Sequence, residues 1–208
     1  MSHIHIENIP LMQPYSPERS VTVHTANTNA LLTTAETKTH LKVDTTADDT
    51  LIDNLILAAT QSCEIYTNRY FLNTILVQQS DTWNGIRNLY KSKVSSVTHI
   101  KYYDTDNAQQ TWASENYIVD VSSKPARIGL APDKSFPDLA DRINAVEVKY
   151  TVGYGDTGAT VPEGIKQAVL LCIGNWYQNR QSVVTGTIAT ELPLMVNHLL
   201  TPYRAFDF

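Results

Sequence analysis

Three aspartates are the first candidates for metal chemistry in this sequence. Asp48, Asp49 and Asp53 lie close together, and carboxylate oxygens are the ligands that Mg²⁺ and Ca²⁺ prefer. The same residues open a stretch with helical spacing, however, and the helix dipole favours acidic side chains in a first turn. We therefore interpret them as capping and solvated residues, and the sequence predicts no metal site.

The histidines do not form a zinc-ligand pattern either. No two of them have the i, i+4 spacing with an intervening glutamate that zinc hydrolases use. No serine occupies the G-x-S-x-G turn of a nucleophile elbow. Scattered surface positions are therefore expected for all six histidines: His3, His5, His24, His40, His99 and His198.

Two cysteines and one glycine-rich loop complete the chemical inventory. Cys63 and Cys172 fall in stretches with helical spacing and have no basic neighbour in sequence to lower a thiol pKa. They fit buried thiols in a reducing compartment better than a disulfide framework. GYGDTG, residues 153–158, lacks the Lys-Ser/Thr that ends a phosphate-binding loop, and the next helical stretch begins only at Pro162. The sequence therefore predicts no enzyme activity and no cofactor.

Composition sets the class of protein. The chain has 208 residues with 42% hydrophobic content, which is enough for one main domain with a buried core. Its 16 basic and 21 acidic residues give a formal charge of -5. This net charge argues against sequence-independent binding to the phosphate backbone of a nucleic acid. No basic leader and no run of about 20 apolar residues is present, so we expect a soluble, unexported protein without a membrane partner.

Helical spacing predicts four helices, at about 33–42, 47–69, 162–181 and 193–201. Thr33 and Glu36 have capping-box spacing at the start of the first helix. In the second helix an apolar stripe is predicted for Leu51, Leu55, Ala58, Ser62 and Ile65. Pro162 suits the first position of the third helix. Its predicted core face carries Ile165, Val169, Cys172, Ile173 and Trp176.

The spacing changes between about 74 and 155, where a β insert is predicted. Val146, Val148, Tyr150 and Val152 alternate with polar residues, which indicates a half-buried strand. The stretch SVTHIKYYDTDNAQQTW, residues 96–112, indicates two strands around an Asp/Asn turn, and ENYIVDV and PARIGL add short strands. The fold class is therefore α+β, a helical bundle with an inserted small antiparallel β-sheet and extended terminal segments.

The ends of the chain are expected to be extended. Residues 1–30 contain three early prolines and the polar run TANTNA, which predicts an extended N-terminal arm. One domain is predicted for residues 31–204, with a C-terminal tail at 202–208. Near the end of the third helix, Trp176, Tyr177 and Arg180 are predicted to be structural anchors rather than a ligand cage, with Arg180 holding the following loop.

Five stretches in one order resemble a known family. They are DDTLIDNLILAATQSCEIYTNRYFL, SVTHIKYYDTDNAQQTW, VEVKYTVGYG, VPEGIKQAVLLCIGNWYQNRQSVV and ELPLMVNHLLTPYR. Together they resemble the head-tail connector proteins of tailed bacteriophages, also called adaptor or head completion proteins. The resemblance runs from about residue 31 to 204, and the long N-terminal arm departs from the usual pattern.

The resemblance implies a structural virion protein of the neck, assembled in the bacterial host cytoplasm. It implies a homo-oligomeric ring of about twelve subunits, in which unlike faces of neighbouring subunits meet. The implied partners are the portal protein, a tail-side neck, stopper or tail-terminator protein, and DNA that passes through the channel without sequence-specific binding. Another phage tail-completion or minor capsid interaction module is the alternative, and an uncharacterised hydrolase is the third hypothesis.

The tail LTPYRAFDF is the candidate partner-binding element. Pro202 makes continuation of the last helix costly, and aromatic residues with an arginine are typical of interface hot spots. We expect this tail to bind the portal, while packing of the same aromatics onto the subunit's own core is the alternative. The candidate residues are Tyr203, Arg204, Phe206 and Phe208.

Overall fold

The four predicted helices are present and form one layer of the molecule. The structure, a computed structural model, describes residues 19–91, 93–179 and 194–205. The helices are α1 (Thr34–Leu41), α2 (Asp49–Thr67), α3 (Glu163–Gln178) and α4 (Leu194–Leu200). α2 and α3 pack against each other, with α4 on α3 and α1 against both.

The predicted capping box begins α1. The Thr33 hydroxyl accepts a hydrogen bond from the Glu36 backbone N–H at 3.1 Å, and the Glu36 carboxylate accepts one from the Thr33 N–H at 2.8 Å. These bonds satisfy backbone donors that the first turn of a helix leaves without partners. The Thr33 hydroxyl also donates to the Glu36 carboxylate at 2.7 Å, and this bond, together with that from the Thr33 N–H, holds the pKa of Glu36 below its usual value.

The core face of α2 differs from the predicted one. Leu55 is only partly buried and Ile65 is 81% exposed. The prediction for the α2 stripe was therefore wrong by one residue, because two stripes of similar spacing run side by side on this helix. The side chains that pack into the core are Ile52, Ile56, Ala59, Cys63 and Thr67.

The prediction for α3 is confirmed. Ile165, Val169, Cys172 and Ile173 are fully buried, and Trp176 packs against the same core from a partly buried position. Pro162 stands one residue before the helix, as its N-cap. The two helices thus bury one continuous apolar core between them.

Within the described residues, eight antiparallel strands form two sheets. The five-stranded sheet has the order β1-β2-β8-β4-β5, and the three-stranded sheet has the order β3-β7-β6. The strands are β1 (Arg19–Thr25), β2 (Thr74–Ser80), β3 (Asn88–Leu89), β4 (Val94–Tyr103), β5 (Gln109–Trp112), β6 (Tyr117–Asp120), β7 (Ala126–Leu130) and β8 (Val146–Val152).

The sheets enclose a second hydrophobic core. β8 lies at the centre of the large sheet, and its four predicted inward residues are all buried. Trp83 anchors this core, with its ring centroid 4.7 Å from that of Trp112 and 5.1 Å from that of Phe136. The chain is thus an α+β protein, but the β part is larger than a small insert in a helical bundle, because the sheets have a core of their own.

The predicted extended arm is partly a β-strand. Residues 19–25 form β1, which pairs antiparallel with β2 at the edge of the large sheet. Val21 and Val23 alternate with polar residues in this segment, although the side chains of β1 are almost all exposed. Residues 1–18 lie outside the described residues.

The α2–α3 core generates a stability prediction with a matched pair of variants. Ile56 is 2% exposed and its neighbour Leu57 is 55% exposed. We expect Ile56→Asp to lower the free energy of unfolding by about 3–5 kcal/mol, since it removes an apolar side chain and buries a carboxylate. Leu57→Asp should change it by about 0.5 kcal/mol or less. Denaturant unfolding followed by circular dichroism measures both, and equal losses would contradict this packing.

Candidate assembly surface

The described part of the C-terminal tail lies on its own subunit. The Ala205 N–H donates to the Thr67 carbonyl at the end of α2, at 2.8 Å. The Arg204 guanidinium lies over the Tyr66 ring, 5.0 Å from its centroid, while Tyr203 packs against the helical core close to Gly164 of α3. The start of the tail is therefore held between the C-terminal end of α2 and the N-terminal end of α3.

The predicted partner-binding residues are thus divided into two groups. Two of them, Tyr203 and Arg204, are described and make the contacts given above. Tyr203 is partly buried and Arg204 is exposed, so both side chains remain accessible from outside the subunit. Phe206 and Phe208 lie outside the described residues. Binding of the portal by these four residues stays a prediction.

The predicted anchors at the end of α3 join the two central helices. The Tyr177 hydroxyl donates to Oδ2 of Asp48 at 2.5 Å, which ties the end of α3 to the start of α2. Trp176 packs against the helical core. Arg180 lies outside the described residues, so its expected role in holding the next loop stays a prediction.

The candidate metal-binding aspartates have intramolecular partners. Besides the bond from Tyr177 to Asp48, Asp49 pairs with Nζ of Lys38 at 2.7 Å, and Asp53 accepts from the Thr34 hydroxyl at 2.6 Å. Asp48 occupies the N-cap position without a side-chain capping bond. Among the described residues, no group of three His, Cys, Asp or Glu side chains could hold a metal ion.

The two cysteines are buried in the α2–α3 core. Burial raises the pKa of Cys63 to about 12 and that of Cys172 to about 11. Both side chains are therefore neutral thiols at physiological pH, and a nucleophilic role would require the thiolate. These residues fill space in the core.

The GYGDTG loop contacts other segments of the same subunit. Gly153 has φ of 127°, and a Cβ there would lie 2.7 Å from the Leu72 backbone. The Asp156 carbonyl accepts a hydrogen bond from Nδ2 of Asn29 at 2.8 Å, and its carboxylate accepts one from Nδ2 of Asn73 at 2.9 Å. The loop therefore connects β8 to α3 and holds the N-terminal segment in place.

Sequence reasoning missed a buried polar cluster where α2 meets the sheets. The Glu64 carboxylate accepts a hydrogen bond from the Phe71 N–H at 2.7 Å, and burial raises the pKa of Glu64 to about 7. Nearby, Arg69 is buried and hydrogen-bonds Tyr154, whose pKa is raised by its own burial. The only sequence signal for this cluster is a charged Glu64 beside the core residue Cys63.

Several large apolar side chains are exposed on the described surface. On the helical layer they are Leu57, Ile65, Leu194 and Met195, and on the sheets they are Val23, Ile118, Val121 and Ile143. Among the described residues, no helix combines the length and the apolar character that a membrane span requires. These side chains are candidates for an assembly surface, since exposed apolar patches mark protein contacts.

Comparison with known proteins gives a family and a fold. The family model described as Head completion protein matches residues 30–206, and no curated protein sequence matches the chain. A chain from the neck of an empty gene transfer agent (GTA) particle, computed with C6 symmetry, is 19% identical with a TM-score of 0.72, over 91% of this chain and 97% of that one.

Two further solved structures share the fold. A chain from the virion of a native GTA particle is 21% identical with a TM-score of 0.69, over 90% of this chain and 96% of that one. A chain from the neck of a native GTA particle, computed with C12 symmetry, is 19% identical with a TM-score of 0.70, over 91% and 97%. The whole fold of those chains is therefore present here.

Glu64 generates a prediction on pH. Its pKa is about 7 in the folded protein against an ordinary value of 4.5, so the folded state holds the proton more tightly than the unfolded state. This contribution to stability is fully present below about pH 4.5 and is lost as the pH rises through about 7, a loss on the order of 2–3 kcal/mol.

We expect Glu64→Gln to remove that part of the pH dependence, because the amide oxygen still accepts from the Phe71 N–H but does not ionise. Denaturant unfolding of both proteins at pH 5 and pH 8 measures it. The same loss of stability between the two pH values in both proteins would contradict the assignment.

Proposed function

The chain belongs to the head completion protein family, and we propose from this membership that it is a structural protein of a virion neck. In this role, copies of the chain form a ring between the portal and the tail-side neck proteins. The ring closes the DNA-filled head and provides the surface to which the tail-side protein binds. The observation that carries the proposal is the family match over residues 30–206.

The fold supports the same role. Two chains with this fold come from necks of GTA particles and one from a GTA virion. The likeness covers at least 96% of each of those chains. A chain that shares its fold with proteins of particle necks fits assembly better than catalysis.

The proposed oligomer is a ring of about twelve copies. One related neck was computed with C12 symmetry and another with C6 symmetry, and a twelve-membered ring is compatible with both. In such a ring each subunit presents one face to its left neighbour and a different face to its right neighbour. The ring axis is then the path of the DNA.

The net charge of the chain suits a channel through which DNA passes without being bound tightly. A formal charge of -5 gives little attraction for phosphates. Within the described residues, Lys38, Lys166 and Arg127 are each paired with a carboxylate. Passage of DNA without sequence-specific binding therefore requires no dedicated recognition residues.

Imaging of the neck tests this function. We expect a cryo-electron reconstruction of particles that encode this chain to show it as a ring directly below the portal. Particles made without the chain should contain packaged heads that leak DNA or fail to gain tails, since the head lacks its closing component. Normal tailed particles without the chain would overturn the proposal.

Two truncations test portal binding by the tail. Truncation after Ala205 removes Phe206 and Phe208 but keeps the Ala205–Thr67 hydrogen bond and the Arg204–Tyr66 contact. We expect this protein to keep the melting temperature of the full chain and to lose its attachment to portal-containing heads.

Truncation after Thr201 is the matched comparison. It also removes Tyr203 and Arg204, so we expect the same loss of attachment together with a lower melting temperature. Thermal unfolding and sedimentation with portal-containing heads measure the two properties. Normal attachment after truncation at Ala205 would show that the two phenylalanines are not the portal-binding residues.

A further inference from the structure

The middle of α2 exposes a face of apolar and neutral side chains. Along the middle of this helix, Leu57 is 55% exposed and Ile65 is 81% exposed. Asp53 is also exposed and lies beside one edge of this face. At 100° per residue, the exposed side chains from residue 54 to residue 65 fall within an arc of about 100°. They are Asn54, Leu57, Ala58, Gln61 and Ile65, which we call the α2 outer stripe. A helix face that meets only water normally carries charged side chains.

The charges of α2 are directed to partners in the same subunit. The helix has three charged residues, Asp49, Asp53 and Glu64. Asp49 pairs with Lys38, Asp53 accepts from Thr34, and Glu64 accepts from the Phe71 backbone. None of these interactions needs the α2 outer stripe, which is therefore left for a contact outside the subunit.

A second apolar patch lies at the start of α4. Leu194 is 87% exposed and Met195 is 66% exposed. Beside Met195 runs a groove of about 320 Å³ between α1, α3 and α4, lined by His40, Leu171, Gly174, Asn175, Gln178 and Val196. We call Leu194, Met195 and this groove the α4 patch. It is concave, whereas the α2 outer stripe is the ridge of a helix, and ridges pack into grooves.

We propose that the α2 outer stripe of one copy of this chain packs against the α4 patch of the next copy. This inference rests on the proposed ring and names the surfaces that form it. A closed ring of identical subunits requires two different surfaces on each subunit that fit each other. Both patches lie on the same helical layer, on helices that pack on α3, and both are exposed in the single subunit.

A second copy explains these features better than DNA does. DNA contact relies on basic and polar groups that reach the phosphates, and both surfaces consist mainly of apolar and neutral side chains. Exposed apolar patches mark protein contacts. Two unlike apolar patches on one subunit match the two contacts that each subunit of a ring makes, whereas a symmetric dimer would require only one.

Cross-linking in assembled particles tests the pairing. Cys63 and Cys172 are fully buried, so a maleimide reagent reaches only cysteines introduced at the surface. We expect particles that carry Ile65→Cys and Met195→Cys in the same chain to give a ladder of multimers with a flexible bis-maleimide. Each single variant should give none, since in the proposed contact residue 65 meets residue 195 and not another residue 65.

The outcomes separate this contact from the proposed function. A double variant that is present in the neck but yields no multimers overturns the pairing while the neck role stands. Dimers from Ile65→Cys alone also overturn it, because they would place two α2 outer stripes face to face. Absence of the unmodified chain from the neck overturns both.

A charge substitution provides a second measurement. Ile65→Lys places a charge in the proposed contact, and Ile143→Lys places one at another exposed isoleucine, 72% exposed, between β7 and β8. We expect both proteins to keep the melting temperature of the unmodified chain, and only Ile65→Lys to lose at least tenfold in incorporation into particles. Equal incorporation of the two variants would overturn the proposal.

Discussion

The structure depends on the packing of two consecutive helix and strand units against each other. One unit is α2 with β2, and the other is β8 with α3. α2 leads into β2, and β8 leads into α3, while β2 pairs with β8 in the sheet and α2 packs against α3. Two backbone hydrogen bonds hold the crossing point, from Tyr154 to the Phe71 carbonyl at 3.0 Å and from Asn73 to the Gly155 carbonyl at 2.8 Å. Helices and sheet therefore cannot shift independently without loss of these bonds.

Buried polar groups extend this framework to the smaller sheet. Gln78 on β2 is fully buried and donates to the carbonyls of Gly85 and Asn88, both at 2.9 Å. Its side-chain oxygen accepts from the Tyr90 N–H and from the Tyr150 hydroxyl, each at 3.2 Å. Such a satisfied network costs little to bury and specifies a single arrangement. It positions the chain segment that carries Trp83 and β3, and thus the second core.

The groups that the sequence offers for chemistry are engaged inside the subunit. Its cysteines are neutral and buried, and the aspartates at the start of α2 are engaged by Lys38, Thr34 and Tyr177. The helical layer also exposes large apolar side chains on α2 and α4, namely Leu57, Ile65, Leu194 and Met195. Rigid positioning of such surfaces is what the proposed ring requires, and it follows from the same contacts that close the two cores.

The sequence alone determined the features that depend on local patterns: the capping box of α1, the alternation in β8, the hairpin of β4 and β5, and the core face of α3. The order of five stretches also identified the family. Tertiary structure decided the rest. Leu51 and Leu55 have the same i, i+4 spacing as Ile52 and Ile56, so only packing against α3 selects the buried pair.

The strand β1 and the cluster around Glu64 show the same limit. β1 has few buried side chains and is a strand because β2 supplies its hydrogen-bond partners. The Glu64 carboxylate is bound by the backbone N–H of Phe71, seven residues away, because the folded chain brings Phe71 back to the end of α2. A local pattern reports the periodicity of a segment, whereas the identity of its partner is a property of the folded chain as a whole.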